Sequence, residues 1–322
     1  MHTSEFRYGF RVTGGRDADR RLIDWQSAFD AHLQDDERAA SDRESYLSAF
    51  QFGPDFRDYL QHHGTTKGFS GPTWSRWLWF DIDRPADQLD AALADTRKLA
   101  DTICQRWGIL PDDLAVFFSG SKGFHVGVPT ALWQPTPADD YHSVCRHFAE
   151  CLAGLAGVQI DTGVYDRVRL FRAPNSRHQR TGLHKRYLDA EEFYRIAPEG
   201  ILDAARHPEE CTLPHTPEAV TAAVRDWHDA VQNAHVTDTA LQDVRQRGRL
   251  NKLTLSFLRE GADSGDRHRL LYSAAANLAE FDCPAALAHE LLTPSARDSG
   301  LTPSDIRRQI ECGLQDGGRR HA

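Results

Sequence analysis

The chain has 322 residues, 40% hydrophobic and 26% charged, enough for one large or two moderate globular domains with buried cores. Its net charge of −9 argues against a protein that coats nucleic acid by bulk electrostatics, though not against one with a local basic groove. No run approaches the roughly 20 apolar residues of a membrane span, and the six cysteines form no CxxC pair, so no membrane segment, disulfide framework or zinc ribbon is expected. The opening MHTSEFRYGFRV is charged from the start and lacks an apolar signal core, which points to a cytoplasmic protein. Only five of the cations are lysines, at 67, 98, 122, 185 and 252. The rest are arginines, the better fork for phosphate in a groove.

Taken in chain order, residues 16–50 mix charged and apolar positions and read as helix. The texture changes over 70–83 to TWSRWLWFDID, an aromatic, β-prone stretch ending in carboxylates. A helix is expected over 87–107, with Leu89, Leu93, Leu99, Ile103 and Trp107 near helical spacing and Gly108 as its C-cap. LAVFF and FHVGV read as strands joined by the turn SGSKG. A second helix is expected over 138–155, followed by strands at VQID and VRLF with a turn at Gly163. From about residue 200 the pattern is helical, punctuated by proline and glycine. The expected organisation is an α+β domain over 1–205 and an all-helical domain over 210–318.

Three segments carry chemistry. In a strand, residues i and i+2 share a face, so WLWFDID presents Asp81 and Asp83 together with Ile82 turned into the core. Two such carboxylates repel unless cations lie between them, and hard divalent ions such as Mg²⁺ or Mn²⁺ suit oxygen pairs. In FFSGSKGFHV, two glycines bracket Ser121 and Lys122 between strands, with His125 opening the outgoing strand. Backbone N–H groups, hydroxyls and one cation can there converge on an anion such as a triphosphate. It is not a Walker A loop, because the spacing is wrong and no helix follows. The third segment runs from Asp161 through VRLFRAPNSRHQRTGLHKRYL. It gathers Arg167, Arg169, Arg172, Arg177, Arg180, Lys185 and Arg186, with His178 and His184 among them. So many cations in an acidic chain point to a polyanion site.

The ordered set is more specific than its parts. A hydrophobic strand ending DxD, then SGxxGxH, then hD followed by an RLxRxPxSxH-like stretch resembles the archaeo-eukaryotic primase superfamily. That superfamily includes primase small subunits, plasmid and phage primase-polymerases and the polymerase domains of bacterial end-joining ligases. The likeness covers residues 44–190. The tail, through GADSGDRHRLLYSAAANLAE, resembles the helical C-terminal domain of many bacterial, phage and plasmid primases. The resemblance implies a core with an RRM-like mixed sheet and flanking helices. It implies that Asp81, Asp83 and Asp161 are metal ligands, with Asp166 a poorer match for the third. Ser119, Lys122 and His125 then resemble residues that hold the triphosphate, and Arg172 and His178 also face the nucleotide. Ser121 stands where many members carry a basic residue, a contact that Arg169 could supply.

The activity so implied is template-directed nucleotidyl transfer on single-stranded DNA with two divalent ions, Mg²⁺ or Mn²⁺, NTP or dNTP substrates and release of pyrophosphate. The nearest approach to the zinc cluster of some primases is His142, Cys145, His147 and Cys151. On a helix Cys145 falls on the apolar face and His147 points away, so no structural zinc is expected. Template or primer contacts are expected from Arg177 and Lys185, and in the tail from Arg245, Arg247, Arg249 and Arg267. With no helicase motor in the chain, the replicative helicase would be a separate partner. The alternatives are a polymerase that only extends primers in end joining, repair or damage tolerance, and a catalytically idle replication-initiation protein.

Overall fold

The computed structural model describes residues 2–15, 18–215, 217–246, 250–262 and 265–319. The fold is α+β with a C-terminal helical region, as expected, and divides into two units, Met1–Ala234 and His235–Ala322. Among the described residues the strands are β1 (Tyr8–Thr13), β2 (Arg21–Asp24), β3 (Ser45–Ser48), β4 (Gln51–Phe52), β5 (Thr73–Trp74), β6 (Trp77–Asp83), β7 (Ala115–Phe118), β8 (Gly123–Pro129), β9 (Leu170–Arg172) and β10 (Arg186–Leu188). The helices of the first unit are α1 (Trp25–Leu33), α2 (Pro54–His63), α3 (Leu89–Trp107), α4 (Tyr141–Ala156), α5 (Ala190–Arg195), α6 (Pro198–Ala204) and the start of α7 (Thr221–Gln246).

Instead of one mixed sheet, the described residues form two, paired antiparallel throughout. One runs β5-β4-β1-β3-β9 with β2 on β1, and the other runs β10-β7-β8-β6. In β6 the apolar run is continuous because both faces are covered. Leu78, Phe80 and Ile82 alternate onto one face, and α3 packs on this strand and on β8. On the other face Trp79 reaches Phe29 of α1 and Phe171 of β9, at ring separations of 6.3 and 5.3 Å. Asp81 and Asp83 share that second face by alternation. The acids therefore emerge where the core between the sheets ends.

Two local expectations are corrected. Among the described residues of 16–50, helix is confined to α1, which Asp24 caps through Ser27 N at 3.1 Å, and a 3₁₀ turn at Glu37–Ala39. The flanking stretches form β2 and β3, both paired with β1, so cross-strand pairing and not a local period decides them. VQID forms no strand. Asp161 N makes a single bond to the Asp81 carbonyl, at 2.8 Å, and its carboxylate then caps a 3₁₀ turn over Thr162–Tyr165.

The first unit also continues beyond residue 205. Cys211 N bonds to Leu33 O at 3.0 Å, and Val220 N to Leu132 O at 2.9 Å. On α7, Trp227 packs against Trp133, Tyr141 and Phe148. Beside it Asp226 takes a bidentate bond from Arg106 and a third bond from Trp107 Nε1. In the second unit, α8 (Lys252–Glu260), α9 (Arg267–Ala279), α10 (Ala285–Asp298) and α11 (Pro303–Arg319) enclose a core of Phe257, Leu271, Leu278, Leu292, Leu301, Ile306 and Ile310. No described helix is long and apolar enough to cross a membrane.

Candidate active site

A cleft of about 360 Å³ opens between elements of the two sheets in the first unit. It is lined by Asp81, Asp83, Asp161, Ser119, Ser121, Lys122, His125, Arg169, Arg172 and His178, so every residue expected at the metal and nucleotide sites borders one cavity. Tyr46, Ala86, Val164, Leu170, Phe171 and Arg180 complete its wall. Its volume is in the range of small-ligand sites.

The acid side is built by β6 and its neighbours. Strand register sets Asp81 opposite His125, and Asp83 opposite Gly123. A Cβ at Gly123 would lie 2.2 Å from Ile82 O and 2.4 Å from Asp83 Oδ1. Only glycine lets the start of β8 approach the second acid so closely. Arg84 locks the geometry from behind: Nη1 donates to Asp83 O at 2.6 Å and Nη2 to Gln159 O at 3.2 Å, while Asp95 anchors the guanidinium. The end of β6 is thereby tied to the segment that carries Asp161.

Asp81 is the electrostatic centre of the cleft. Burial, reinforced by the charges of Asp83 and Asp161, pushes its carboxyl up to about 7, against the pull of Lys185 and Lys122. Its Oδ1 is buried without a hydrogen-bond partner, and His125 Nε2 lies 3.6 Å away. Positive charge among these acids would relieve that repulsion, and an all-carboxylate donor set suits a hard cation. Among the described residues, however, no three His, Cys, Asp or Glu side chains are gathered as ligands of one ion. Asp83 is paired with Lys122 at 3.0 Å, and Asp161 faces Arg169 at 3.9 Å.

The same cleft also carries neutral and cationic hydrogen-bonding groups. The turn after β7 passes through Gly120 at φ +84°, in the left-handed region where glycine is favoured. Ser119 Oγ, His125 Nδ1 and Arg172 Nη1 are each buried without a hydrogen-bond partner. Buried polar atoms are normally paired, so these three residues of the cleft wall each keep a polar atom that a polar occupant could engage. Burial, with the nearby cations Lys185 and Arg172, holds His125 well below the ordinary histidine range. It is therefore a neutral hydrogen-bonding ring, packed 4.2 Å from that of Phe171. His178 Nδ1 accepts from the N–H groups of Arg180 and Thr181 at 3.2 and 3.3 Å, and this shapes the arginine-bearing turn.

No family model and no curated protein sequence matches the chain. Among solved structures, the crystal structure of primase RepB' is similar over 98% of this chain and 93% of that one, with a TM-score of 0.34 and 12% identity. A likeness at that level carries no argument about activity. The chemistry has to come from the cleft.

The remaining expected residues are placed differently. Lys185, expected at a nucleic-acid surface, is 1% exposed. Its Nζ donates to Arg172 O at 2.9 Å and lies within 5.1 Å of the ring centres of Trp79, Phe117 and Phe171. It cannot touch a strand of nucleic acid from there, and burial drives its ammonium well below the usual lysine range. Arg177 is exposed on the turn, with Nε bonded to Gly182 O. Arg267 is spent on the carbonyls of Ser299 and Gly300 at the end of α10. Arg247 and Arg249 lie outside the described residues, as does the side chain of Arg245. Asp166 follows the 3₁₀ turn and is not part of the cleft wall. Glu44 and Tyr46, which hold Arg172, were hidden by the helical reading of 16–50. No alternation in RESYLS marks them, since Tyr46 and Leu47 are adjacent and the strand is buried on both faces.

Proposed function

We propose that the chain is a primase or primase-polymerase, a template-directed nucleotidyltransferase acting on single-stranded DNA. The observation that carries this reading is the cleft that Asp81, Asp83 and Asp161 line together with Ser119, His125 and Arg172, each of the latter keeping a buried polar atom without a hydrogen-bond partner. The three acids would hold two divalent ions, Mg²⁺ or Mn²⁺. When bound, such ions lower the pKa of an attacking 3′-hydroxyl and offset charge on the transferring phosphoryl group. Asp81, the most deeply buried of the three, binds at the cost of losing a proton it otherwise keeps to about pH 7.

The nucleotide's triphosphate would lie against the part of the wall that carries Ser119, His125 and Arg172. Ser119 and the neutral His125 contribute hydrogen bonds there, and Arg172 contributes fixed positive charge. Lys122 is half-exposed on a long side chain and exchanges Asp83 for a phosphate oxygen. The exposed Arg180 continues the cation track of Arg169 and Arg172 at the cleft, where a template backbone would run.

The decisive assay supplies single-stranded DNA with labelled ribo- and deoxynucleotides and Mg²⁺ or Mn²⁺, with and without a primer. Primer-independent products are expected from the wild-type chain and none from an Asp81→Ala, Asp83→Ala double variant. Products only with a primer would reassign the chain as an extending polymerase. Full activity in the double variant would end the reading altogether.

A further inference from the structure

Arg172 is gripped in an unusually complete way. Strand pairing sets Tyr46 directly opposite it, and the guanidinium lies 5.0 Å over that ring. Its Nη2 donates to Glu44 Oε1 at 3.0 Å and to the Tyr46 hydroxyl at 3.1 Å, which uses both of that nitrogen's hydrogens. The same hydroxyl donates to Glu44 Oε1 at 2.6 Å, and Lys185 Nζ secures the main chain through Arg172 O at 2.9 Å. Nη1 is left buried with no hydrogen-bond partner, on a side chain that borders the cleft and is only 9% exposed. A guanidinium saturated at one end and unpaired at the other is prepared for an anion.

We propose that Glu44 is a positioning residue for the nucleotide. By committing Nη2 of Arg172, this acid reserves Nη1 for a phosphate oxygen and so strengthens the grip on a triphosphate. The inference depends on the nucleotide-binding reading given above. Charge alone makes the opposite prediction, because deleting a carboxylate beside an anion site should tighten anion binding. The two accounts differ in sign.

The test is calorimetric titration of the full chain with dATP, and separately with inorganic triphosphate, both in Mg²⁺. It compares wild type, Glu44→Ala, Glu44→Gln, Tyr46→Phe and Arg172→Met. Glu44→Ala is expected to weaken both ligands about tenfold. Glu44→Gln keeps an acceptor oxygen and should lose less, and Tyr46→Phe should lose part. In primer extension the Glu44→Gln deficit should appear in KM for the nucleotide with kcat within about twofold, a split that general loosening would not produce. Thermal midpoints show whether each variant is folded, and near-isosteric Glu44→Gln keeps the comparison available if Glu44→Ala is not. If Arg172→Met weakens binding while the Glu44 variants bind as tightly as wild type or tighter, the positioning role is wrong. If wild type binds neither ligand, the nucleotide reading itself fails, and this inference with it.

Discussion

Replacing Asp81 with asparagine should stabilise the protein at the pH where the enzyme would work, while removing its chemistry. The unfolded chain releases this proton near the ordinary 3.8, whereas the folded chain holds it to about 7. Between those values the folded state binds more protons, so stability falls as pH rises, and the loss is complete above about 7. At 1.36 kcal/mol per pH unit, the interval sets a ceiling of about 4 kcal/mol. Partial solvent contact of the side chain, 20% exposed, and relaxation around the charge will lower it. Asp81→Asn should therefore match wild type near pH 4 and exceed it at pH 8, by up to about 10 °C in Tm for a unit of this size. The assay is thermal unfolding of both proteins in EDTA at several pH values. Divalent ions should narrow the gap at pH 8, since only wild type would gain from binding them. A difference that does not grow with pH, or an Asp81→Asn protein less stable than wild type at pH 8, would refute the account of Asp81 as a buried, charge-crowded acid.

Other perturbations separate the remaining parts. On the proposed reading, Lys122→Met should raise KM for the nucleotide about tenfold with a smaller effect on kcat, because the half-exposed lysine would leave Asp83 to add charge at the triphosphate. Arg84→Met removes the link between Asp83 O and Gln159 O. It should raise the half-saturating divalent-ion concentration about tenfold in a metal titration, with nucleotide KM little changed. Gly123→Ala would force a Cβ to 2.2 Å from Ile82 O and should cost about 2 kcal/mol or more in denaturant unfolding. Trp227→Ala should cost about 3 kcal/mol in the first unit. An unaltered transition there would contradict the assignment of residues up to 234 to that unit.

Much of the site was legible without coordinates because its pieces are local. The alternation in WLWFDID sets which acids share a face, and the glycines of SGSKG mark the turn between β7 and β8. The apolar spacing of 87–107 locates the helix beneath them, and each of these depends on neighbours a few residues away. Tertiary structure alone decided the rest, because burial and cross-strand partnership are not local properties. Glu44 and Arg172 lie 128 positions apart, and only the pairing of β3 with β9 joins them. Lys185 reads as one more surface cation in a basic run, yet the closure of Trp79, Phe117 and Phe171 around it makes it a buried one. Asp161 needed no strand of its own. One bond from its N–H to Asp81 O brings the third acid to the first two, and no periodicity in the sequence could have announced it.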